Sequence, residues 1–183
     1  MNTTLACRCG KTPADSNLPF TCPAAGDDGD HVLVRQLPPT RLPGGSPRGN
    51  NPFLRYRERL HSHTRALEAG WDDARFVALV ERLDEAVATV DGHGFQVTPC
   101  ASWPALAAAC GAGTLWVKDE TGNVSGSHKA RHLMGVALHL EVSGVPRDVP
   151  LAIASCGNAA LAAAVIARAV ERPLQVFIPP DAN

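Results

Sequence analysis

The spacing of apolar residues changes along the chain, and the change predicts its elements. Leu54, Leu60 and Leu67 stand on an otherwise basic segment that reads as a helix from about Phe53 to Leu67, ending near Gly70. A second helix starts at Asp72-Asp73, acidic residues suited to the positive end of a helix. It carries Phe76, Val77, Leu79, Val80, Leu83, Val87 and Val90 at mixed three and four spacing until Gly92 and Gly94 stop it. Beyond Gly94 the period changes. Thr114 to Val117 reads as a short buried strand, followed by the polar loop Asp119 to Ser127 and a helix from about His128 to Val142, closed by Gly144. Leu151 to Ala154 is the next strand, Ser155-Cys156-Gly157-Asn158 the next loop, Ala159 to Val170 the next helix and Leu174 to Ile178 the last strand. Strand, loop and helix alternate twice and finish on a strand. That is the grammar of βαβ units, so residues 53–183 are expected to form an α/β fold, a parallel sheet with flanking helices.

The front of the chain has no such period. Residues 1–37 contain Cys7-Arg8-Cys9-Gly10 and Cys22-Pro23-Ala24-Ala25-Gly26, the outline of two facing zinc knuckles. Structural zinc takes four N or S ligands, usually from paired C-x₂₋₄-C turns. Here the first pair is tight, Ala25 stands where a fourth cysteine belongs, and His31 is not demanded by spacing. The expectation is a degenerate ribbon with no metal. Residues 38–52, PPTRLPGGSPRGNNP, read as a linker, because proline and glycine suppress regular structure there.

Composition narrows the function classes. The 183 residues carry 17 Lys+Arg against 18 Asp+Glu, a formal net charge of −1. That balance argues against nucleic acid as a partner, since such domains carry a basic excess that displaces counterions from phosphates. No run of about 18 apolar residues exists for a membrane span, and the N-terminus lacks the apolar core of a secretory signal. A cytoplasmic location is expected, with no membrane partner. The cysteines in the Ala/Gly-rich stretches, Cys100, Cys110 and Cys156, read as small hydrophobes rather than a disulfide framework.

Candidate chemistry sits in the two polar loops, because ligands of such sheets bind where strands lead into helix N-termini. Free N–H groups and the helix dipole there favour a phosphate or carboxylate. A P-loop does not fit the first loop, since Gly122 and Gly126 are one residue too close and Ser127-His128 intervene before Lys129. Neither loop supplies G-x-G-x-x-G. A lysine opening a helix can serve as a Schiff-base nucleophile, because the positive potential there disfavours the charged amine; a solvated surface lysine is the plainer alternative.

Trp116-Val117-Lys118-Asp119-Glu120 followed by Thr121-Gly122-Asn123-Val124-Ser125-Gly126-Ser127-His128-Lys129-Ala130-Arg131 resembles the lysine motif of fold-type II pyridoxal-phosphate enzymes, the tryptophan synthase β-subunit-like family. Ser155-Cys156-Gly157-Asn158 resembles that family's S-[ST]-G-N loop, and Thr98-Pro99 its T-P. The cysteine-bearing front, the Asn51 to Tyr56 segment and the K-D-E strand end are most similar to threonine synthase-like members. The resemblance covers about residues 51–183. It implies pyridoxal phosphate as cofactor and a lyase or β/γ-replacement reaction on a small amino acid. Lys129 would form the internal aldimine and move protons at the substrate α-carbon, Asn158 would bind the cofactor's 3′-oxygen, and Ser155 and Gly157 would hold the substrate α-carboxylate. Val124, His128, Ala130 and Cys156 depart from the family's usual residues. His128 reads as an extra acid/base group or as a helix-start histidine, and Glu120 as a site residue or as a solvated strand-end carboxylate. The family continues through a second half with a glycine-rich phosphate loop, so the alternative is a truncated non-catalytic fragment or a partner-dependent half-domain. A homo-oligomer remains open.

Overall fold

The computed structural model describes residues 5–13, 20–26, 29–36 and 49–180. Most of the expected linker, residues 38–48, lies outside them. In the front part, β1 (Leu5–Cys7) pairs antiparallel with β2 (Leu33–Arg35), with Cys7 opposite Leu33.

The expected first helix is broken in two. Helix α1 (Pro52–Arg55) is started by Asn51, whose side chain accepts from Phe53 N–H at 2.8 Å, with proline in the first turn where its missing N–H costs nothing. A 3₁₀ turn over Arg57–Arg59 and an extended Leu60 separate it from α2 (His61–Glu68). The break accompanies a tie that the spacing of leucines does not reveal. Arg57 donates to the Leu54 carbonyl at 3.0 Å and makes a bidentate pair with Asp73, at 2.6 and 3.0 Å. Asp73 also meets His63 at 3.2 Å.

Helix α3 (Asp73–Asp91) follows the pattern closely. Asp72 accepts from Arg75 N–H at 2.7 Å, and Gly92 closes the helix at φ 92°, a left-handed cap that glycine adopts without steric cost. Its Phe76, Leu79, Val80, Leu83 and Val87 are buried, while Val90 at the end of the stripe is exposed. This face meets Ala66 of α2, Met134 and Leu138 of α5 (Lys129–Val142), and Ala162 and Ile166 of α6 (Asn158–Ala169) in one apolar cluster. The core is therefore largely helix on helix, each buried large side chain contributing roughly 1.5–3 kcal/mol of transfer free energy.

The strands β5 (Leu151–Ala154) and β6 (Leu174–Phe177) pair in parallel across α6, from Leu151 opposite Leu174 to Ala154 opposite Phe177. This is the βαβ unit that the alternation predicts. Among the described residues the parallel arrangement is confined to that pair. The strand before the lysine loop corrects the expectation twice. As β4 (Trp116–Lys118) it pairs antiparallel with β3 (Cys100–Ser102), which leads into the short helix α4 (Pro104–Ala109). It is also not buried, for Trp116 is 66% exposed. An apolar run of three residues cannot by itself distinguish a core strand from an edge ribbon. Cys100, Cys110 and Cys156 are likewise exposed, not buried hydrophobes. Among the described residues, no helix is long and apolar enough to cross a membrane.

The front part meets the helical core through Phe20 and Arg35. Phe20 packs edge-on to His139 of α5 at 5.0 Å and to His61 of α2 at 6.2 Å, and the two imidazoles stack at 5.4 Å. Arg35 donates to the Arg59 carbonyl and, at 3.1 Å, to Thr64 Oγ1. Burial, with the like charges of His139, Arg35 and Arg65, pushes His61 down to about 4. The native state thus binds this proton less readily than the unfolded chain, whose histidine titrates near 6.5. We expect stability to be full above about pH 6.5 and to decline as pH falls towards 4. Asp73, drawn down to about 2 chiefly by its bond to Arg57, acts only below that window. Urea midpoints taken from pH 7 to 4.5 should fall, and His61→Phe should flatten the slope.

Candidate active site

The loop into α5 is built as a series of local ties. Asp119 accepts from the Thr121 backbone N–H at 2.9 Å and from its hydroxyl at 2.6 Å, an Asx-type turn that ends β4. Buried Asn123 reaches across the turn and donates from Nδ2 to the Ser127 carbonyl at 2.7 Å. Between them, Val124–Gly126 form a 3₁₀ turn in which Ser125 takes φ 57° and ψ 22° and Gly126 φ 66°. Left-handed backbone costs a non-glycine residue about 1–2 kcal/mol. The Ser125 N–H is met by both carboxylate oxygens of Asp91, at 3.1 and 3.2 Å. Asp91 is the last residue of α3, so the helix that organises the core also fixes the turn.

Lys129 is the first residue of α5 and is exposed; its N–H lies 3.4 Å from Ser127 Oγ. Arg131 follows two positions later and is engaged through Nε and Nη2. Its Nε donates to Glu120 Oε2 at 2.9 Å, and Nη2 donates to the Gln96 carbonyl at 3.0 Å and to Thr98 Oγ1 at 3.3 Å. Thr98 in turn donates its hydroxyl to Glu120 Oε1. Burial raises the Glu120 carboxyl, but its bonds to Arg131 and Thr98 outweigh that and hold it below the ordinary range. Glu120 is not freely solvated: it is the hub that joins three stretches of chain, and it borders the cleft beside the loop. A step of two residues turns a helix by about 200°, so Lys129 leaves α5 on the side away from this network.

An open cleft of about 520 Å³ borders the loop, lined by Trp103, Lys118, Glu120, Thr121, Ser127 and His128. Lys129 is not among its lining residues, whereas His128 is. The second loop leaves β5 with the Ser155 N–H bonded to the Phe177 carbonyl at 3.1 Å, which ties it to the end of β6. Gly157 N–H reaches Ser155 Oγ at 3.3 Å, and Asn158, exposed, opens α6. The first N–H groups of that helix have no intrahelical acceptor, which suits an anion. Helix α6 packs along α5 and against the 124–126 turn, so the two loops belong to one packed unit.

Asp91 and Gln96 are the members of this neighbourhood that the motifs do not single out. A signal for Asp91 does exist: an acid in the last turn of a helix opposes the macrodipole, and so invites a search for what else it binds. Gln96 contributes only a backbone carbonyl, which no side-chain pattern reveals.

Residues 93–183 match the family model described as pyridoxal-phosphate dependent enzyme. No curated protein matches the chain, and no solved structure matches it.

The Arg131 network has a measurable worth. Arg131→Met leaves Glu120 with Thr98 and the more distant Lys118 ammonium at 3.7 Å. Loss of a charge-assisted bond costs about 1.5–3 kcal/mol, which denaturant unfolding at pH 7 should register. Because the native carboxyl is held low, that contribution is present above the unfolded value near 4.3 and is lost as pH falls through the folded one. The gap between wild type and variant should therefore narrow below about pH 4.

Proposed function

From a region that matches pyridoxal-phosphate dependent enzymes and opens its helix on a lysine, we infer that the chain is a pyridoxal-phosphate-dependent lyase or β/γ-replacement enzyme. Its substrate is a small amino acid, and its reaction is threonine synthase-like. The observation that carries this reading is the exposed Lys129 at the start of α5, delivered by a turn that Asp91 and Asn123 hold in a strained shape. Strain at a backbone position is retained where the surrounding structure over-determines it, and such positions cluster at functional sites.

The residues present fit the cofactor by their donor set. Lys129 offers a primary amine to an aldehyde carbon, Asn158 offers an amide to a ring oxygen, and the start of α6 offers N–H groups to an anionic group. When bound, pyridoxal phosphate supplies an electron sink that lowers the cost of removing a substrate proton. In this reading Lys129 Nζ holds the cofactor and then carries the proton to and from the substrate α-carbon. Asn158 fixes the orientation of the ring. Ser155 and Gly157, with the first N–H groups of α6, hold the substrate α-carboxylate, so that the α-carbon stays in reach of the amine. Lys129 is thereby both anchor and base, while Arg131 on the same helix turn is a positioning residue.

The test is direct. Pyridoxal phosphate added to the full chain should give the absorbance of a lysine adduct, and borohydride reduction followed by peptide mapping should place the label on Lys129. Lys129→Ala should reduce labelling to background without shifting the unfolding midpoint. Asn158→Ala should keep the label but weaken cofactor binding about tenfold, the worth of one hydrogen bond. A label found on Lys11 or Lys118 instead overturns the assignment.

A further inference from the structure

The four metal-ligating side chains of the front part, which the proposed function does not use, converge. Cys7, Cys9, Cys22 and His31 each offer one ligand atom, and all four atoms lie within 4.8 Å of one another. Cys9 Sγ is 3.6 Å from Cys22 Sγ, and Cys7 Sγ is 3.7 Å from His31 Nδ1. For a tetrahedral zinc ion with Zn–S near 2.3 Å and Zn–N near 2.0–2.1 Å, simple geometry sets the S···S edge at about 3.8 Å and the S···N edge at about 3.6 Å. Both of these edges match.

The local backbone has the matching form. Cys7 and Cys9 share a tight turn in which Gly10 N–H bonds the Cys7 carbonyl at 2.9 Å and Gly10 takes φ 83°. The Ala25 N–H makes the equivalent 2.9 Å bond to the Cys22 carbonyl. The backbone N–H two residues on, from Lys11 and Ala24 respectively, hydrogen-bonds the Cys9 and Cys22 sulfurs. Chain separation hides the set: the tight first pair and the single cysteine at 22 do not read as two knuckles. The β1–β2 pairing carries Cys7 and brings His31, two residues before β2, to the cysteines.

Packing gives the reason such a site is needed. A two-stranded ribbon of three-residue strands is marginal without a staple. Among the described residues before Asn50, Cys7 and Cys22 are the buried apolar ones. Among the described residues, the ribbon has little besides these sulfurs to fold around.

We propose that Cys7, Cys9, Cys22 and His31 form a structural Zn²⁺ site that closes the β1–β2 ribbon. All four positions of the metal are filled by protein, so the site holds no water and performs no chemistry. Binding releases the three thiol protons to solvent, and no oxidant takes part.

The experiment uses the full chain, stripped of metal under reducing conditions and titrated with Zn²⁺ or Co²⁺. One equivalent should bind, and Co²⁺ should show the d–d bands of a tetrahedral ion with thiolate charge transfer. Cys22→Ser and His31→Ala should each weaken binding at least tenfold, whereas Cys100→Ser and Cys110→Ser should not change it. A readout without substitutions guards against unfolded variants. In the Zn²⁺-loaded chain, alkylation should spare Cys7, Cys9 and Cys22 and modify Cys100, Cys110 and Cys156. Equal alkylation of all six cysteines, octahedral Co²⁺ spectra, or a Cys9–Cys22 disulfide persisting with excess Zn²⁺ under reducing conditions would each overturn the proposal.

Discussion

The contact between the Asp91 carboxylate and the Ser125 N–H is the constraint on which the candidate site depends. Asp91 ends a 19-residue helix whose apolar face is the centre of the core, and its position is therefore set by packing rather than by local chain preference. An acid at that end of a helix is electrostatically disfavoured by a few tenths of a kcal/mol to about 1 kcal/mol. The left-handed serine costs a comparable amount. The charge-assisted hydrogen bond between them, worth about 1.5–3 kcal/mol, offsets these costs. Together the two residues satisfy a buried donor and transmit the rigidity of the core to the turn before Lys129. A loop positioned in this way keeps its shape without a ligand, which is what preorganisation of a site requires.

Where local rules decide the structure, the sequence is legible. Helix α3 has a capping acid, a stripe at three and four spacing and a closing glycine, and all three act as written. The β5–α6–β6 unit is equally readable, because a four-residue apolar strand, a polar loop and an alanine-rich helix leave few alternatives. Legibility fails where long-range partners win. The first helix breaks as Arg57 engages Asp73, sixteen residues away, and nothing in the leucine spacing records that bond. β4 looks like a core strand but pairs with β3 at the surface, since hydrophobicity alone does not state which neighbour a strand will take. At the site, Lys129, Asn158, Ser155 and Gly157 are visible in the motifs. The Glu120–Thr98–Arg131 network is visible only as fragments, and its closure into one unit comes from the fold.

The two parts of the chain rely on different sources of cohesion. The helical part buries large side chains, with Phe76, Leu83, Met134 and Leu138 fully enclosed. The front ribbon has sulfur where a core would be, and it reaches the helices through an arginine to a backbone carbonyl and a phenyl ring on two stacked histidines. Those contacts lie on the Arg57–Arg59 turn, α2 and α5, so the ribbon braces the same helix that begins with Lys129.

That helix also behaves as a lever. An extended lysine amine stands roughly 8 Å from a helix axis, so a rotation of 10° displaces it by about 1.4 Å. A misplacement of about 1 Å at a reacting group can cost on the order of a hundredfold in rate. The guanidinium of Arg131, held by a carboxylate, a hydroxyl and a carbonyl, sets the angular tolerance of the first turn. Its worth to the protein is thus measured in degrees of helix rotation, a quantity that the stability of the fold alone does not reveal.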